Sequence, residues 1–145
     1  MNKNLPLSNI VVLDLTNVLS GPFATQILSD LGAEIIKVEK PNGDDSRKFG
    51  PFIKKRSSYF ISLNRGKKSI VIDFNNEEDK KIFKKLLTIS DVLIDNFKPG
   101  TIEKFGFSQK YLSKEYPKLI QAKISGFGET GPMKSFPAYD MIVQA

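Results

Sequence analysis

The chain offers few types of side chain that can carry acid–base or nucleophilic chemistry. It contains no cysteine and no histidine, which excludes a thiolate nucleophile and a Cys-ligated metal and removes the commonest general base and metal ligand. Proton transfer is therefore left to carboxylates, lysines and tyrosines. Basic residues outnumber acidic ones by 22 to 16, and the formal charge of +6 suits a polyanionic small molecule. We expect no metal site.

The excess of basic residues does not indicate nucleic-acid binding. Acids are interspersed with the bases, as in the run EEDKK at 77–81, and motifs that combine aromatic with basic residues are missing. The N-terminus has no long apolar segment of the signal-peptide type, and no run approaches the roughly 18 apolar residues of a membrane span. The sequence therefore predicts a cytoplasmic protein without nucleic-acid or membrane partners.

The stretch from Asn9 to Lys48 reads as strand, helix and strand. The apolar run Ile10–Leu13 is typical of a strand buried on both faces of a parallel sheet. Gly21-Pro22 favours the start of a helix, because proline fits the first helical turn, and Gly32 favours its end. A second apolar run at Ile35–Val38 completes a βαβ unit, which implies parallel strands.

Apolar runs and helical patterns keep alternating after this unit. The polar segment Lys40–Arg56 is predicted to be a functional loop without regular structure, and Tyr59–Asn64 a strand or an extended surface piece. Further strands are expected at Ser69–Asp73, Asp91–Asp95 and Leu119–Ile124, and helices at Glu77–Leu87, Thr101–Phe105 and Ser108–Glu115. This alternation predicts an α/β fold with a Rossmann-like, doubly wound, mostly parallel sheet.

Ligands of such sheets bind beyond the carboxyl ends of the strands. Asp14 and Asp73 lie at predicted strand ends, where a carboxylate either caps a turn or contacts a ligand. No GxGxxG and no Walker A motif occurs in the chain, so the sequence argues against NAD or ATP as the ligand.

Four segments, in order along the chain, resemble one known family. They are SGPFATQILSDLGAEIIKVEKPNGDDSR, SLNRGKKSIVIDF, SDVLIDNFKPGTIEKFGF, and PKLIQAKISGFGETGP with PAYDMIVQA. The chain thereby resembles the class III CoA-transferase family, which includes formyl-CoA and carnitine CoA-transferases and the α-methylacyl-CoA racemases. The block DNFKPGTIEKFGF is the most specific of the matches.

The resemblance implies that residues 1–145 are the N-terminal, CoA-binding part of the family's large domain, with the remainder of the family fold absent and the sheet incomplete. It also implies an interlinked homodimer for the full-length family member. We expect a fragment or a truncated gene product. Because the missing strands would leave an apolar sheet edge exposed, we expect this piece alone to be poorly soluble or only partly folded.

The resemblance further implies a CoA site made by the loops at the strand ends. Lys40, Lys98 and Lys104 would supply positive charge for the phosphates of CoA. Each lysine taken alone is more typical of a solvated surface position, and only their shared place at the predicted ligand edge makes phosphate binding an equal alternative. Phe97 would pack against the adenine or pantetheine. The implied CoA-binding residues are Leu19, Ser20, Lys40, Ile72, Asp73, Asn75, Asn96, Phe97, Lys98, Lys104, Tyr139 and Asp140.

The implied activity is CoA transfer between an acyl-CoA and a carboxylic acid through an enzyme aspartyl intermediate. CoA is then a substrate, and no tightly bound cofactor is expected. The family's nucleophilic aspartate would lie roughly 20–35 residues beyond the AYD block, so no catalytic residue is expected within the chain, and Tyr139 and Asp140 are given supporting roles only. Family racemases carry histidine at the position of Tyr139, which favours a transferase over a racemase. A non-catalytic CoA-binding fragment is the other alternative.

Overall fold

Seven strands occur in the computed structural model, which describes residues 5–145. They are β1 (Val11–Asp14), β2 (Glu34–Glu39), β3 (Phe52–Ile53), β4 (Arg56–Ser57), β5 (Lys68–Val71), β6 (Val92–Asp95) and β7 (Ile120–Lys123). Five of them form a parallel sheet in the order β5-β2-β1-β6-β7, and β3 and β4 form a separate antiparallel hairpin. The chain thus winds outward from β1 in both directions, which confirms the predicted doubly wound, mostly parallel α/β fold.

The central position of β1 follows from its apolar side chains. Val12 and Leu13 are completely buried, and they belong to hydrophobic clusters on opposite faces of the sheet. A strand with apolar residues on both faces is stable only where other elements cover both of them. β1 pairs with β2 on one side and with β6 on the other, so the reversal of winding falls between β1 and β6.

Helices connect the strands. They are α1 (Ser20–Asp30), α2 (Ser58–Asn64), α3 (Glu77–Ile89), α4 (Thr101–Lys104), α5 (Gln109–Glu115) and α6 (Asp140–Gln144), with a 3₁₀ helix at Asp45–Lys48. The Asn76 side chain caps α3 by accepting from the Glu78 amide at 2.8 Å. Gly32, with φ of +104°, follows α1 in the left-handed conformation that glycine adopts readily.

The larger hydrophobic core lies between the sheet and α3, α4 and α5. Phe83 and Leu87 of α3, Ile102 of α4 and Leu112 of α5 pack there against the sheet. The opposite face has a smaller core, in which Leu28 of α1 packs beside strand residues. Burial of these apolar side chains is the main force that holds helices to the sheet.

An aromatic cluster extends the larger core to the carboxyl edge of the sheet. Phe74 stacks on Phe105 with ring centres 4.7 Å apart and meets Phe83 edge-on at 5.0 Å. Phe83 in turn meets Phe107 edge-on at 4.7 Å. Offset and edge-on ring pairs add to the stabilisation that burial provides, so the cluster is a rigid support for the loops above it.

The prediction of a strand or extended segment at Tyr59–Asn64 is wrong, because this segment is the helix α2. The Ser57 hydroxyl accepts from the Phe60 amide at 3.0 Å and so caps the helix, and the Asn64 side chain donates to the Phe60 carbonyl. The segment Lys40–Arg56 is also more regular than predicted, since it contains the 3₁₀ helix and most of the hairpin. The N-cap of α4 is Gly100.

Truncation of Phe83 to alanine is expected to lower the free energy of unfolding by roughly 3–5 kcal/mol, because it leaves a cavity inside the aromatic cluster. The matched control is Ile82→Ala in the same helix, whose side chain is 41% exposed and which should cost less than about 1 kcal/mol. Urea denaturation of both variants measures the difference. Equal losses in the two variants would contradict the assignment of Phe83 to the core.

Candidate functional site

A cavity of about 200 Å³ opens at the carboxyl ends of the parallel strands. Loops that follow four different strands contribute to its walls, and it extends to the side of β1 where the winding of the sheet reverses, the usual ligand position in doubly wound sheets. Its lining residues are Leu15, Thr16 and Asn17 after β1, Lys37, Val38, Glu39, Lys40, Gly43 and Asp44 from β2 and its loop, Ile72 and Phe74 after β5, and Phe97, Thr101 and Phe105 after β6.

A buried ion pair forms the polar side of this cavity. The Nζ atom of Lys37 lies 2.8 Å from Oδ2 of Asp44, and each side chain is 1% exposed. Lys37 also donates to the carbonyl of Thr16 at 2.8 Å. Burial raises the pKa of Asp44, but hydrogen bonds from Lys37 and Ser46 and the charge of Lys37 outweigh it and lower that pKa below its ordinary value. Asp44 therefore stays ionised, and its pair with Lys37 joins the loops after β1 and β2.

Asn17 connects three of the loops. Its backbone amide donates to Oδ1 of Asn96, and Nδ2 of Asn96 donates to the carbonyl of Asn17, both at 2.9 Å. Its side chain donates to the Asp45 carboxylate at 2.6 Å and accepts from the Asp45 amide at 3.1 Å. These four hydrogen bonds hold the loops after β1, β2 and β6 together across the reversal point.

Glu39 at the end of β2 carries the strongest pKa shift near the cavity. Burial by itself raises its pKa, but hydrogen bonds from Arg47, Ser69 and the Asp44 amide outweigh burial and lower the pKa to about 2. Arg47 binds both carboxylate oxygens, at 2.6 and 2.7 Å, and its guanidinium lies 3.8 Å from the ring centre of Phe60. Glu39 therefore stays ionised at neutral pH.

A second buried pair lies beneath the N-terminal end of α1. The Nζ atom of Lys67 lies 3.2 Å from Oδ2 of Asp14 and also donates to the Thr25 hydroxyl and the Asn64 side chain. Burial lowers the pKa of Lys67, and Asp14 opposes that shift. Asp14 accepts from Thr16 as well, so its carboxylate has a structural role in the turn after β1.

Three of the twelve predicted CoA-binding residues line the cavity. They are Lys40, Ile72 and Phe97. Lys40 is half-exposed and pairs with Asp45 at 2.7 Å, so part of its charge is already neutralised. Asn96 lies beside the cavity through its hydrogen bonds to Asn17.

The other predicted residues lie on neighbouring loops. Leu19 and Ser20 begin α1, directly after the cavity residues that follow β1. Asp73 accepts from the amide and the side chain of Asn75 and so forms the turn after β5. Lys98 and Lys104 are exposed on the loop and helix after β6.

Tyr139 and Asp140 are not among the residues that line the cavity. Tyr139 is 75% exposed, and Asp140 begins the short exposed helix α6, where it accepts from Gln144 at 2.7 Å. Burial raises the pKa of Tyr59 in α2, and the charges of Asp44 and Asp140 raise it further. Asp140 therefore lies within electrostatic range of α2, and its part in CoA binding stays a prediction.

Sequence reasoning did not single out the buried polar residues of the site. Thr16, Asn17, Lys37, Glu39 and Asp44 all line the cavity, and none was among the predicted binding residues. The one sequence signal was a lysine inside the apolar run Ile-Ile-Lys-Val of β2. A lysine is almost never fully buried unless it has a partner, so this position predicts an anion close by.

Two negative findings apply to residues 5–145. No group of three or more carboxylates there is arranged to bind a metal ion. None of the helices in the same range is long and apolar enough to cross a membrane.

Replacement of Lys37 by methionine should lower the free energy of unfolding by about 3–5 kcal/mol, because Asp44 would remain as an unpaired buried charge. The matched control is Lys40→Met, which breaks the exposed pair with Asp45 and should cost less than about 1 kcal/mol. The double variant Lys37→Met/Asp44→Asn should recover part of the loss. Urea denaturation measures all three; equal costs for the two single variants would contradict the role given to the buried pair.

The stability of the protein should depend on the ionisation of Glu39. Because its pKa falls from 4.5 to about 2 on folding, the ionised group stabilises the fold above pH 4.5, and this contribution is lost as the pH falls from 4.5 towards 2. The shift corresponds to at most roughly 3 kcal/mol. Glu39→Gln should therefore be less stable than wild type at pH 7, and this difference in the free energy of unfolding should disappear as the pH falls towards 2. Glu78→Gln, at an exposed glutamate, should show a gap that is small at every pH.

Comparisons with known proteins place the chain among the CoA-transferases. The model of the family described as CoA-transferase family III matches residues 7–145. The chain is 50% identical over 141 residues to acetyl-CoA:oxalate CoA-transferase of Acetobacter aceti, which covers 97% of this chain and 36% of that protein. It is 46% identical over 142 residues to succinyl-CoA:glutarate CoA-transferase of Mus musculus, and the match covers 97% of this chain and 33% of that protein. The chain spans about a third of the length of these relatives.

Solved structures agree with the sequence matches. A CAIB/BAIF family protein from Brucella suis superposes with a TM-score of 0.92 at 41% identity and covers 98% of this chain and 39% of its own. The Rv3272 protein of Mycobacterium tuberculosis gives a TM-score of 0.87 at 40% identity, and the match covers 95% of this chain and 38% of that chain. These matches confirm the resemblance predicted from the four sequence segments: the chain belongs to the CoA-transferase family III.

Proposed function

We propose that the protein carrying this chain transfers CoA between an acyl-CoA thioester and a carboxylic acid, and that residues 1–145 supply its CoA-binding part. The observation that carries the proposal is the cavity at the carboxyl edge of the sheet, with aromatic walls and lysines close by, in a chain of the CoA-transferase family III. Relatives are named as CoA-transferases for several different acids.

The lining of the cavity suits the chemistry of CoA. Phe74, Phe97 and Phe105 offer aromatic surface for an adenine ring or the pantetheine arm. Lys98 and Lys104 are exposed, and neither has an ion pair with any residue in the described part of the chain, so their charges are available to phosphate groups. Lys40 would have to share its charge between a phosphate and Asp45.

The proposed reaction proceeds through an aspartyl thioester. An enzyme aspartate attacks the thioester carbonyl of the donor, the C–S bond breaks, and CoA leaves as a thiolate, which gives a mixed anhydride of the aspartate and the donor acid. The thiolate then attacks the aspartyl carbonyl and releases the donor acid as a carboxylate. The acceptor carboxylate attacks the resulting aspartyl-CoA, and the thiolate returns to the acceptor carbonyl of the new anhydride, which frees the aspartate.

The buried aspartates near the cavity are poor candidates for this nucleophile. Asp14 and Asp44 are each buried and paired with a buried lysine, so neither carboxylate is accessible to a thioester. No catalytic residue is therefore assigned within these 145 residues, and Tyr139 and Asp140 keep the supporting role that the resemblance implies. An interlinked homodimer and a cytoplasmic location also stay predictions.

The acceptor is proposed to be a short dicarboxylic acid. Relatives are named for oxalate, glutarate and mesaconate. The test uses the purified full protein that carries this sequence, supplied with acetyl-CoA or succinyl-CoA and each of these acids. Formation of the new acyl-CoA, followed by mass spectrometry, supports the proposal. CoA binding without transfer to any acid would favour a non-catalytic CoA-binding protein instead.

CoA affinity should fall at least about tenfold in the variant Lys40→Ala/Lys98→Ala/Lys104→Ala, because each lysine near a phosphate contributes a fraction of a kcal/mol to about 1 kcal/mol. The dependence of affinity on salt should weaken as well. Titration calorimetry with CoA at two salt concentrations measures both effects.

The control for this variant is Lys84→Ala/Lys85→Ala/Lys118→Ala. It removes the same charge from exposed positions in the second half of α3 and just before β7, towards the amino edge of the sheet. CoA affinity should change less than about twofold. Equal losses in the two triple variants would mean that net charge, and not the strand-end loops, attracts CoA.

A further inference from the structure

Side chains from neighbouring loops hold the backbone of the loop after β1. Lys37 donates to the Thr16 carbonyl, and Oδ1 of Asp44 accepts from the Val18 amide at 3.3 Å. Asn96 bonds both the amide and the carbonyl of Asn17, each at 2.9 Å. Three consecutive residues of this loop are thus fixed from two sides of the sheet, by β2 with its loop and by the loop after β6.

The loop needs this support, because Val18 has an unfavourable backbone conformation. Its φ of +68° lies in the left-handed region, which a β-branched side chain enters only at a cost of roughly 1–3 kcal/mol. Such a conformation persists only where surrounding contacts enforce it, and it occurs often at ligand sites. Here the enforced residue comes directly before Leu19, the N-cap of α1.

Asn96 contacts the loop in a way that does not depend on the side chain at position 17. The side-chain oxygen of Asn96 accepts from the backbone amide of Asn17, and its side-chain nitrogen donates to the backbone carbonyl of Asn17. These are the two backbone groups that a neighbouring strand would bond. This reciprocal pair crosses the point between β1 and β6 where the winding of the sheet reverses. Asn96 thus supplies the connection between the loops after β1 and β6 at a place where the strands themselves have ended.

The loop determines where the N-terminal end of α1 lies. Leu19 is the N-cap of this helix, and its side chain makes no capping hydrogen bond. The first amides of the helix are therefore not occupied by a side chain of the cap residue. A shift of the loop would move Leu19, Ser20 and these amides relative to anything bound in the cavity.

We propose that Asn96 is a positioning residue. It holds the strained loop and the start of α1 in place for the reaction, and its side chain is not a direct contact of CoA. The effect of Asn96 on catalysis rests on the proposed function. Its hold on the loop can be tested by hydrogen exchange, without any measurement of activity.

The test compares the full protein carrying Asn96→Ala with wild type. Hydrogen exchange of the backbone amides at 16–20 should become at least about tenfold faster, because the Asn17 amide loses its acceptor. The kcat of CoA transfer should fall at least about tenfold, since the loop and the first amides of α1 would no longer be held in one position beside the cavity. The Kd for CoA should rise by less than about tenfold, because only the placement of Leu19 and Ser20 changes and no contact of Asn96 with CoA is lost. Asn96→Asp, which keeps an acceptor but loses the donor, should be intermediate.

Two control variants separate positioning from general destabilisation. Asn17→Ala removes the bonds to Asp45 but leaves both backbone bonds to Asn96, so exchange of the Asn17 amide should rise much less than in Asn96→Ala. Asn76→Ala removes the cap of α3, at a cost of about 1 kcal/mol, away from the cavity lining. It should leave kcat and the exchange of 16–20 near wild type.

A CoA Kd raised more than about tenfold in Asn96→Ala, with unchanged exchange at 16–20, would make Asn96 a direct ligand and overturn the inference. Unchanged exchange together with unchanged kcat would overturn it as well. A wild-type protein that neither binds nor transfers CoA would overturn the proposed function alone. In that case the exchange result by itself would support or overturn the loop-holding role of Asn96.

Discussion

A charged amine in the middle of a buried strand has to be neutralised, and Lys37 meets this need with Asp44 and the Thr16 carbonyl. Neither side chain of the pair has appreciable exposure, so removal of either one would leave the other buried without its partner. Because Asp44 belongs to the loop after β2 and Thr16 to the loop after β1, one electrostatic requirement fixes two walls of the cavity.

A second buried lysine–aspartate pair lies at the end of β1. Lys67 and Asp14 form this pair, with hydroxyl and amide groups around the amine. Lys37 and Asp44 both influence the pKa of Lys67, so the four charges form one balanced group. Two cations and two anions in a poorly hydrated place favour a single arrangement of the loops, which is what a binding site built on loops requires.

The core of the sheet and the polar layer above it serve different purposes. Apolar clusters on the two faces of the sheet stabilise the positions of strands and helices. Phe74 and Phe105 belong to both regions, since they pack with the core and also line the cavity. The aromatic surface available to a ligand is thus supported by the hydrophobic core, whereas the polar surface is supported by ion pairs and the Asn17–Asn96 contact.

The sequence by itself predicted most of the strands and helices in their order along the chain, because apolar runs and helical periodicity are local signals. Four short segments were enough to show the family resemblance. Local signals wrongly predicted a strand or an extended segment at Tyr59–Asn64, where the Ser57 cap and packing favour a helix. Only the tertiary structure decided which polar residues meet. The strand order brings Lys37 to the Thr16 carbonyl, Lys67 to Asp14 and Asn96 to Asn17. Partners separated by up to 79 residues leave no periodic trace in a sequence, since their pairing depends on the sheet that joins them.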